Sequence, residues 1–154
     1  MNLYLIRHAH ALGADEDPER PLSQRGRAQV LALVEFLKPS GLFHPGEVWH
    51  SPLARSRQTA ELLTRQLRLT APLALMPDLE PEADPRAVLR RIKATGHSLA
   101  IVGHEPHLSA LATMLIGGKA GLPLFIMKKC STLALEGVDA HWSVRWLVPP
   151  DLIA

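Results

Sequence analysis

Short apolar runs alternate along this chain with segments of helical periodicity, and this alternation restricts the fold more than any other feature of the sequence. Residues 3–6 form a continuous apolar run. Residues 98–102 form a second run, which is apolar after its first residue, Ser98. Such runs are typical of strands buried on both faces of a parallel sheet. Residues 47–50 and 73–76 are two further candidate strands. The pattern predicts an α/β fold with a mostly parallel central sheet.

Four helices are predicted between and after these strands, each from its start and stop signals. The first helix follows the N-cap Ser23 and is stopped by Pro39 and Gly41, and the second covers residues 53–67. The third begins at Pro85 after the N-cap Asp84, and the fourth runs from Pro106 to Gly117. The last part of the chain alternates between apolar and polar residues in segments 124–128, 131–136 and 141–148. This alternation predicts strands around a turn at 137–139, and so an antiparallel addition to the sheet.

Length and charge limit the class of protein. The 154 residues predict a single domain spanning 1–154, and a formal net charge of +2 is too small to predict a nucleic-acid-binding surface. The lone Cys130 cannot form an intramolecular disulfide. The apolar run at the N-terminus is too short for a signal peptide or a membrane span. These features predict a cytoplasmic protein without membrane contact, and they leave its oligomeric state open.

Basic side chains follow three of the predicted strands. Arg7 and His8 end the first strand, Arg55 lies shortly after the second, and His104 ends the strand before the fourth helix. Because ligands bind at the carboxyl ends of strands in such sheets, these four side chains predict an anion site that fits a phosphoryl group. The two arginines would oppose a divalent metal. They would also lower the pKa of the neighbouring histidine and keep it a neutral nucleophile.

The segments that carry these residues resemble the histidine phosphatase superfamily, also called phosphoglycerate-mutase-like. They are Arg7-His8-Ala9 near the N-terminus, SPLARSRQTA at 51–60, and GHEP at 103–106. RPLSQRG at 20–26 resembles the family's turn into the first helix, and PDLEP at 77–81 extends the likeness. The likeness covers nearly the whole chain, and the SixA-type phosphohistidine phosphatases are the branch it resembles most closely.

This resemblance implies a three-layer sandwich and a reaction without metal or organic cofactor. His8 would be the nucleophile that becomes phosphohistidine, Arg7 and Arg55 would bind phosphoryl oxygens, and His104 would complete the clamp. Water would then hydrolyse the intermediate. Larger members carry a glutamate acid on an inserted lid, but only 45 positions separate Thr59 from His104 here. A strand, a helix and a strand fill most of them, which predicts a site with no large lid.

An open site favours a phosphorylated protein as substrate, specifically a phosphohistidine, in a phosphorelay role. The alternatives are a small phosphorylated metabolite hydrolysed by a phosphomonoesterase, or a catalytically silent module that binds phosphate or a protein.

Four further residues are candidate substrate contacts, and each has an ordinary structural alternative. For Arg20 the sequence favours an ion pair within its loop and a contact with the substrate equally. Ser51 more simply caps the following helix, and His10, which stands beside Ala9 where many relatives have glycine, is more simply a loop residue. Glu80 is one of several carboxylates in its loop that could act as general acid.

Overall fold

Alternate residues of the first strand pack on opposite faces of the sheet, and this places two helical layers around it. In the computed structural model, which describes residues 1–153, Leu3 and Leu5 belong to one apolar cluster, while Tyr4 and Ile6 belong to another. All four are at most 3% exposed. Because both faces of the sheet are covered, the fold is the predicted three-layer α/β sandwich.

Six strands and four α-helices make up the sandwich. The strands are β1 (Asn2–Arg7), β2 (Glu47–His50), β3 (Leu73–Leu75), β4 (Leu99–Gly103), β5 (Thr132–Val138) and β6 (His141–Val148). The helices are α1 (Gln24–Ser40), α2 (Ala54–Leu67), α3 (Pro85–Thr95) and α4 (His107–Gly117). The strand order is β3-β2-β4-β1-β5-β6. The first four strands are parallel to one another, β5 is antiparallel to β1, and β6 is antiparallel to β5.

Helices α1 and α2 cover one face of the sheet, and α3 and α4 cover the other. Their buried residues follow the helical spacing expected from the sequence: Val30, Leu33, Val34 and Leu37 line the inner side of α1. No helix within residues 1–153 is long and apolar enough to cross a membrane. The 68–98 segment holds β3, a short 3-10 helix and α3, so no large lid follows α2.

Three details differ from the sequence prediction. Residues 124–128 do not form a strand. Their backbone is held by side chains of α4 instead, since Thr113 Oγ1 accepts from Leu124 N at 3.4 Å and Ser109 Oγ donates to Phe125 O at 3.2 Å. Pro39 does not end α1, which continues to Ser40 before Gly41 adopts the left-handed conformation. Pro106 is the N-cap of α4 rather than its first residue.

Candidate active site

The register of the two central strands brings the two histidines together. β1 pairs in parallel with β4 so that Arg7 lies opposite Gly103, and His8 N donates to Gly103 O at 2.9 Å. The rings of His8 and His104 are consequently 5.0 Å apart between centroids. Arg55 lies in the first turn of α2, after the carboxyl end of the neighbouring β2. The four residues therefore meet at one edge of the sheet, as ligand sites in such sheets do.

Hydroxyl groups at the start of α2 fix this helix to the strands. Ser56 Oγ donates to Val102 O at 2.6 Å, and Thr59 Oγ1 accepts from Ala9 N at 3.0 Å. Thr59 Oγ1 also donates to Arg55 O at 2.7 Å. The small polar residues around Arg55 therefore hold the first turn of α2 against β4 and against the loop that follows β1.

The surroundings of His8 favour a neutral imidazole whose free lone pair is on Nε2. Its Nδ1 lies 2.8 Å from Ala9 O and donates to this carbonyl, which leaves Nε2 with the lone pair. His8 is 5% exposed, and its pKa is lowered to about 4. Burial is the largest cause, and the Arg55, Arg7 and Lys129 charges add to it against the opposing effect of the Ala9 carbonyl. This is the direction predicted from the sequence, but burial lowers the pKa of His8 more than the arginines do.

The two arginines present donors that the protein itself does not satisfy. Arg7 Nη1 donates to Met127 O at 2.9 Å, but the Nε atoms of Arg7 and Arg55 are buried and have no hydrogen-bond partner within residues 1–153. Neither arginine forms an ion pair with a carboxylate of the described chain. Unpaired guanidinium forks beside a neutral histidine fit a tetrahedral oxyanion such as a phosphoryl group.

His104 is oriented by Ser51. Ser51 Oγ lies 2.6 Å from His104 Nε2 and also accepts from Leu53 N at 3.3 Å. Burial lowers the pKa of His104 to about 3, with smaller contributions from His8 and from the Arg55 charge. Ser51 is not the N-cap of α2, since Leu53 holds that position. The serine therefore positions the second histidine and ties it to the turn before α2.

Replacing Ser51 with alanine is expected to lower kcat several-fold. The change leaves His104 Nε2 without its partner, and a lost buried hydrogen bond costs on the order of 1 kcal/mol, about a fivefold change in rate if the transition state bears it. Steady-state kinetics of Ser51→Ala would measure this. Thr64→Ala is the matched control, because it also removes a buried hydroxyl, bonded to Ala60 O at 2.7 Å near the far end of α2. An equal loss of kcat in both variants would contradict a positioning role for Ser51.

The lowered pKa values predict that the folded protein loses stability in mildly acidic solution. The unfolded chain binds protons at both histidines near pH 6.5, but the folded protein does not until about 4 at His8 and about 3 at His104. The unfolded state therefore binds more protons below pH 6.5, so the free energy of unfolding decreases as the pH falls toward 4. The slope is up to about 1.4 kcal/mol per pH unit for each histidine.

Urea unfolding between pH 7.5 and 4.5 would test this prediction. The loss of stability with falling pH should be smaller in His8→Asn, which has no titrating group at this position. The groups that face His8 are Arg7, Arg55, Lys129 and His104. An unchanged slope in His8→Asn would show that the acid sensitivity arises elsewhere.

The other predicted contacts take different positions. Arg20 Nε donates to Leu12 O at 3.1 Å, and its charge lowers the pKa of Arg55 after the larger effect of burial, so it lies at the edge of the site. His10 Nδ1 lies 2.7 Å from Ser23 Oγ. Glu80 is exposed and follows the short 3-10 helix after β3, the strand that lies three strands from β1. Its role as general acid stays a prediction.

Two cationic residues near the site, Lys129 and Arg25, were not predicted from the sequence. Burial lowers the pKa of Lys129, and the charges of Arg7, Arg20, Arg25 and Arg55 lower it further. Lys129 precedes Cys130, which has a φ of +66° and donates its backbone N–H to Arg7 O at 3.0 Å. A positive φ at a non-glycine residue cannot be read from the sequence, although the Lys128-Lys129 pair itself was visible.

Within residues 1–153, no group of three or more histidine, cysteine, aspartate or glutamate side chains lies close enough to hold a metal ion. Cys130 is 1% exposed, and burial raises its pKa to about 12, as expected for a buried structural cysteine.

Solved structures with the same fold include several phosphatases. The protein histidine phosphatase SixA complexed with tungstate superposes with a TM-score of 0.84 at 24% identity, covering all of both chains. The α-ribazole phosphatase of Shigella flexneri gives 0.78 at 21% identity and covers 97% of both chains. A mycobacterial glucosyl-3-phosphoglycerate phosphatase complexed with VO3 gives 0.72 at 17% identity, covering 94% of this chain and 97% of that one. At these identities the likeness shows the fold, which is that of SixA.

Similarity in sequence shows the family of the chain as well as its fold. An uncharacterized protein of Picosynechococcus sp. (strain PCC 7002) is 32% identical over 172 aligned positions, which cover 97% of this chain and all of the relative. Residues 3–81 match the histidine phosphatase superfamily (branch 1), and they include Arg7, His8 and Arg55. With these residues assembled at the edge of a SixA-like sheet, the chain belongs to the histidine phosphatase superfamily.

Proposed function

We propose that this protein is a phosphatase that forms a phosphohistidine intermediate on His8 and removes phosphate from phosphohistidine in a protein. The observation that carries the proposal is the neutral, buried His8, whose Nδ1 is bonded to Ala9 O at 2.8 Å beside the unpaired Nε atoms of two arginines. A binding module needs the arginines, but it has no use for a histidine fixed as a nucleophile.

The reaction proceeds in two displacements at phosphorus. His8 Nε2 gives its lone pair to phosphorus as the bond from phosphorus to the substrate imidazole breaks. The electron pair of that bond stays on the substrate imidazole, which already carries a proton on its other nitrogen and therefore leaves as a neutral ring. Arg7 and Arg55 bind the equatorial oxygens, whose charge they stabilise in the transition state. Water then attacks the phosphorus on His8, which releases phosphate and restores the free imidazole. A phosphohistidine leaving group that is already protonated makes a strong general acid on the enzyme unnecessary.

The surroundings of the site favour a protein as substrate. Within residues 1–153 no large lid encloses the histidines, so a small metabolite would remain in contact with water. Apolar side chains are exposed in the segment that continues to Met127, whose carbonyl accepts from Arg7: Leu122 is 85% and Ile126 80% exposed. Exposed apolar residues next to a binding site are typical of a surface that contacts another protein.

A small phosphorylated metabolite is the second candidate substrate. Proteins of the same fold include the α-ribazole phosphatase and the glucosyl-3-phosphoglycerate phosphatase described above. The same histidine and arginines would serve a phosphate monoester, but its poorer leaving group requires a proton donor, for which Glu80 is the candidate.

A comparison of substrates in EDTA tests the proposal. A phosphohistidine protein, imidazole phosphate and a panel of sugar and nucleotide monoesters are offered to the wild-type protein and to His8→Ala. We expect the highest kcat/KM for the phosphohistidine protein, undiminished by EDTA and absent in His8→Ala. Faster hydrolysis of the monoesters would favour the metabolite, and turnover lost in EDTA would overturn the metal-independent mechanism. Oxyanion binding without turnover of any substrate would support the silent module.

A further inference from the structure

A groove of about 630 Å³ opens beside the phosphoryl site, and Arg7 lines both. Its walls are the loop after β1, the first turns of α1, the 128–129 segment and the C-terminal residues around 150. The charged or ionisable side chains that line it are Arg7, His10, Arg25, Lys128, Lys129 and Asp151.

The groove carries more positive charge than its own acid can balance. Asp151 Oδ2 lies 2.8 Å from Lys128 Nζ, so this carboxylate is already paired. Arg7, Arg25 and Lys129 form no ion pair within residues 1–153. The charges of Arg7 and Arg25 lower the pKa of the Lys129 ammonium, after the larger effect of burial. Three mutually repelling cations around one groove attract an anion.

The wall that carries Arg25 is fixed relative to the loop after β1. Gln29 Oε1 accepts from His10 N at 2.9 Å, and Ser23 Oγ accepts from Gly26 N at 3.0 Å. A Cβ at Gly26 would lie 1.9 Å from His10 O, so only glycine allows the loop after β1 to approach α1 this closely. This wall of the groove is therefore preorganised, which lowers the entropic cost of binding.

We propose that this groove is a second anion subsite, which binds a carboxylate or phosphate of the substrate while the phosphoryl group to be transferred lies at His8. Arg25 and Lys129 supply its charge and hydrogen-bond donors. On a phosphorylated protein the second anion is an aspartate or glutamate next to the phosphorylated residue, and on a small ligand it is a second phosphate. The identity of the substrate rests on the proposed function, but the binding of a second anion does not.

Equilibrium binding of tripolyphosphate and orthophosphate tests the subsite without turnover. Calorimetry at low salt, with phosphorus NMR to show that the tripolyphosphate stays intact, compares the wild type with Arg25→Gln/Lys129→Gln. We expect tripolyphosphate to bind the wild type at least about tenfold more tightly than orthophosphate. The double variant should lose about tenfold for tripolyphosphate and a clearly smaller factor for orthophosphate. Lys129 also faces His8, but only the longer anion reaches both positions.

A matched control separates a local site from the overall charge. Lys38→Gln/Arg65→Gln removes the same two charges from the last turns of α1 and α2, at the other end of these helices. This variant should bind both anions as the wild type does. An equal loss in both double variants, or no loss in Arg25→Gln/Lys129→Gln, would overturn the subsite. Tight tripolyphosphate binding by a protein that hydrolyses no phosphohistidine would keep the subsite and refute the proposed function.

Matched phosphohistidine peptides identify the source of the second anion. One peptide carries glutamates beside the phosphohistidine, and the other carries glutamines. A higher kcat/KM for the acidic peptide in the wild type, abolished in Arg25→Gln/Lys129→Gln, would assign the subsite to a protein carboxylate. Equal kcat/KM for both peptides, combined with the loss of tripolyphosphate binding, would assign it to a second phosphate.

Discussion

His8→Asn is expected to reduce turnover by at least about 10⁴-fold, because the variant lacks the atom that attacks phosphorus. Asparagine is the informative replacement, since its amide can still donate to Ala9 O from nearly the place of Nδ1, which lies 2.8 Å away in His8. The variant keeps Arg7, Arg55 and His104, so it should still bind phosphate or tungstate. Denaturing mass spectrometry after a brief reaction should find a phosphoryl group on His8 of the wild type and none on the variant.

His50→Asn is the control for this experiment. His50 ends the neighbouring strand β2, is 6% exposed, and its Nδ1 lies 2.9 Å from the carbonyl of the next residue, Ser51. It therefore has nearly the same burial and the same local hydrogen bond as His8, but it is not among the groups whose charge acts on His8 or His104. Its asparagine variant should keep turnover within a few-fold of the wild type. Equal inactivation of both variants would show that a buried histidine at a strand end is needed for folding and not for attack.

The sequence predicted the part of the site that depends on strand ends. The position of His8 after β1 and of His104 after β4 follows from two buried apolar runs, and parallel pairing of these runs places the residues side by side. The arginine motif was equally predictable because Arg55 lies in the first turn of a helix that follows a strand. Such features are local in sequence, and the sheet needs only its usual topology to assemble them.

The rest of the site depends on contacts between distant segments, which periodicity does not reveal. Lys129 reaches the site because Cys130 adopts a left-handed conformation and bonds back to the carbonyls of Arg7 and His8. The 124–128 segment alternates like a strand, yet it is held by Thr113 and Ser109 of α4 and pairs with no strand. In this segment, which leads to the two lysines of the groove, hydrogen bonds to a distant helix therefore outweighed the local alternating pattern.

Arg55→Gln is expected to lower kcat/KM by about 10²–10³-fold, with most of the loss in kcat. A donor preorganised for the oxygens of the transition state contributes this much when removed. Arg55 lies in the first turn of α2, where the helix dipole adds to its charge, and its buried Nε has no partner within residues 1–153. Arg55→Lys should recover only part of the loss, because an ammonium keeps the charge but cannot form the bidentate contact of a guanidinium.

Arg57→Gln is the matched control on the same helix. Arg57 is 45% exposed at its side chain and lies 3.7 Å from Glu61, an exposed pair of the kind that contributes little to stability. Removing its charge tests whether the general positive potential near α2 is sufficient for catalysis. If Arg57→Gln lowered kcat/KM as much as Arg55→Gln, the rate would depend on that potential alone. A large loss confined to Arg55, partly recovered by lysine, requires direct contact with phosphoryl oxygens, because long-range potential does not distinguish a guanidinium from an ammonium.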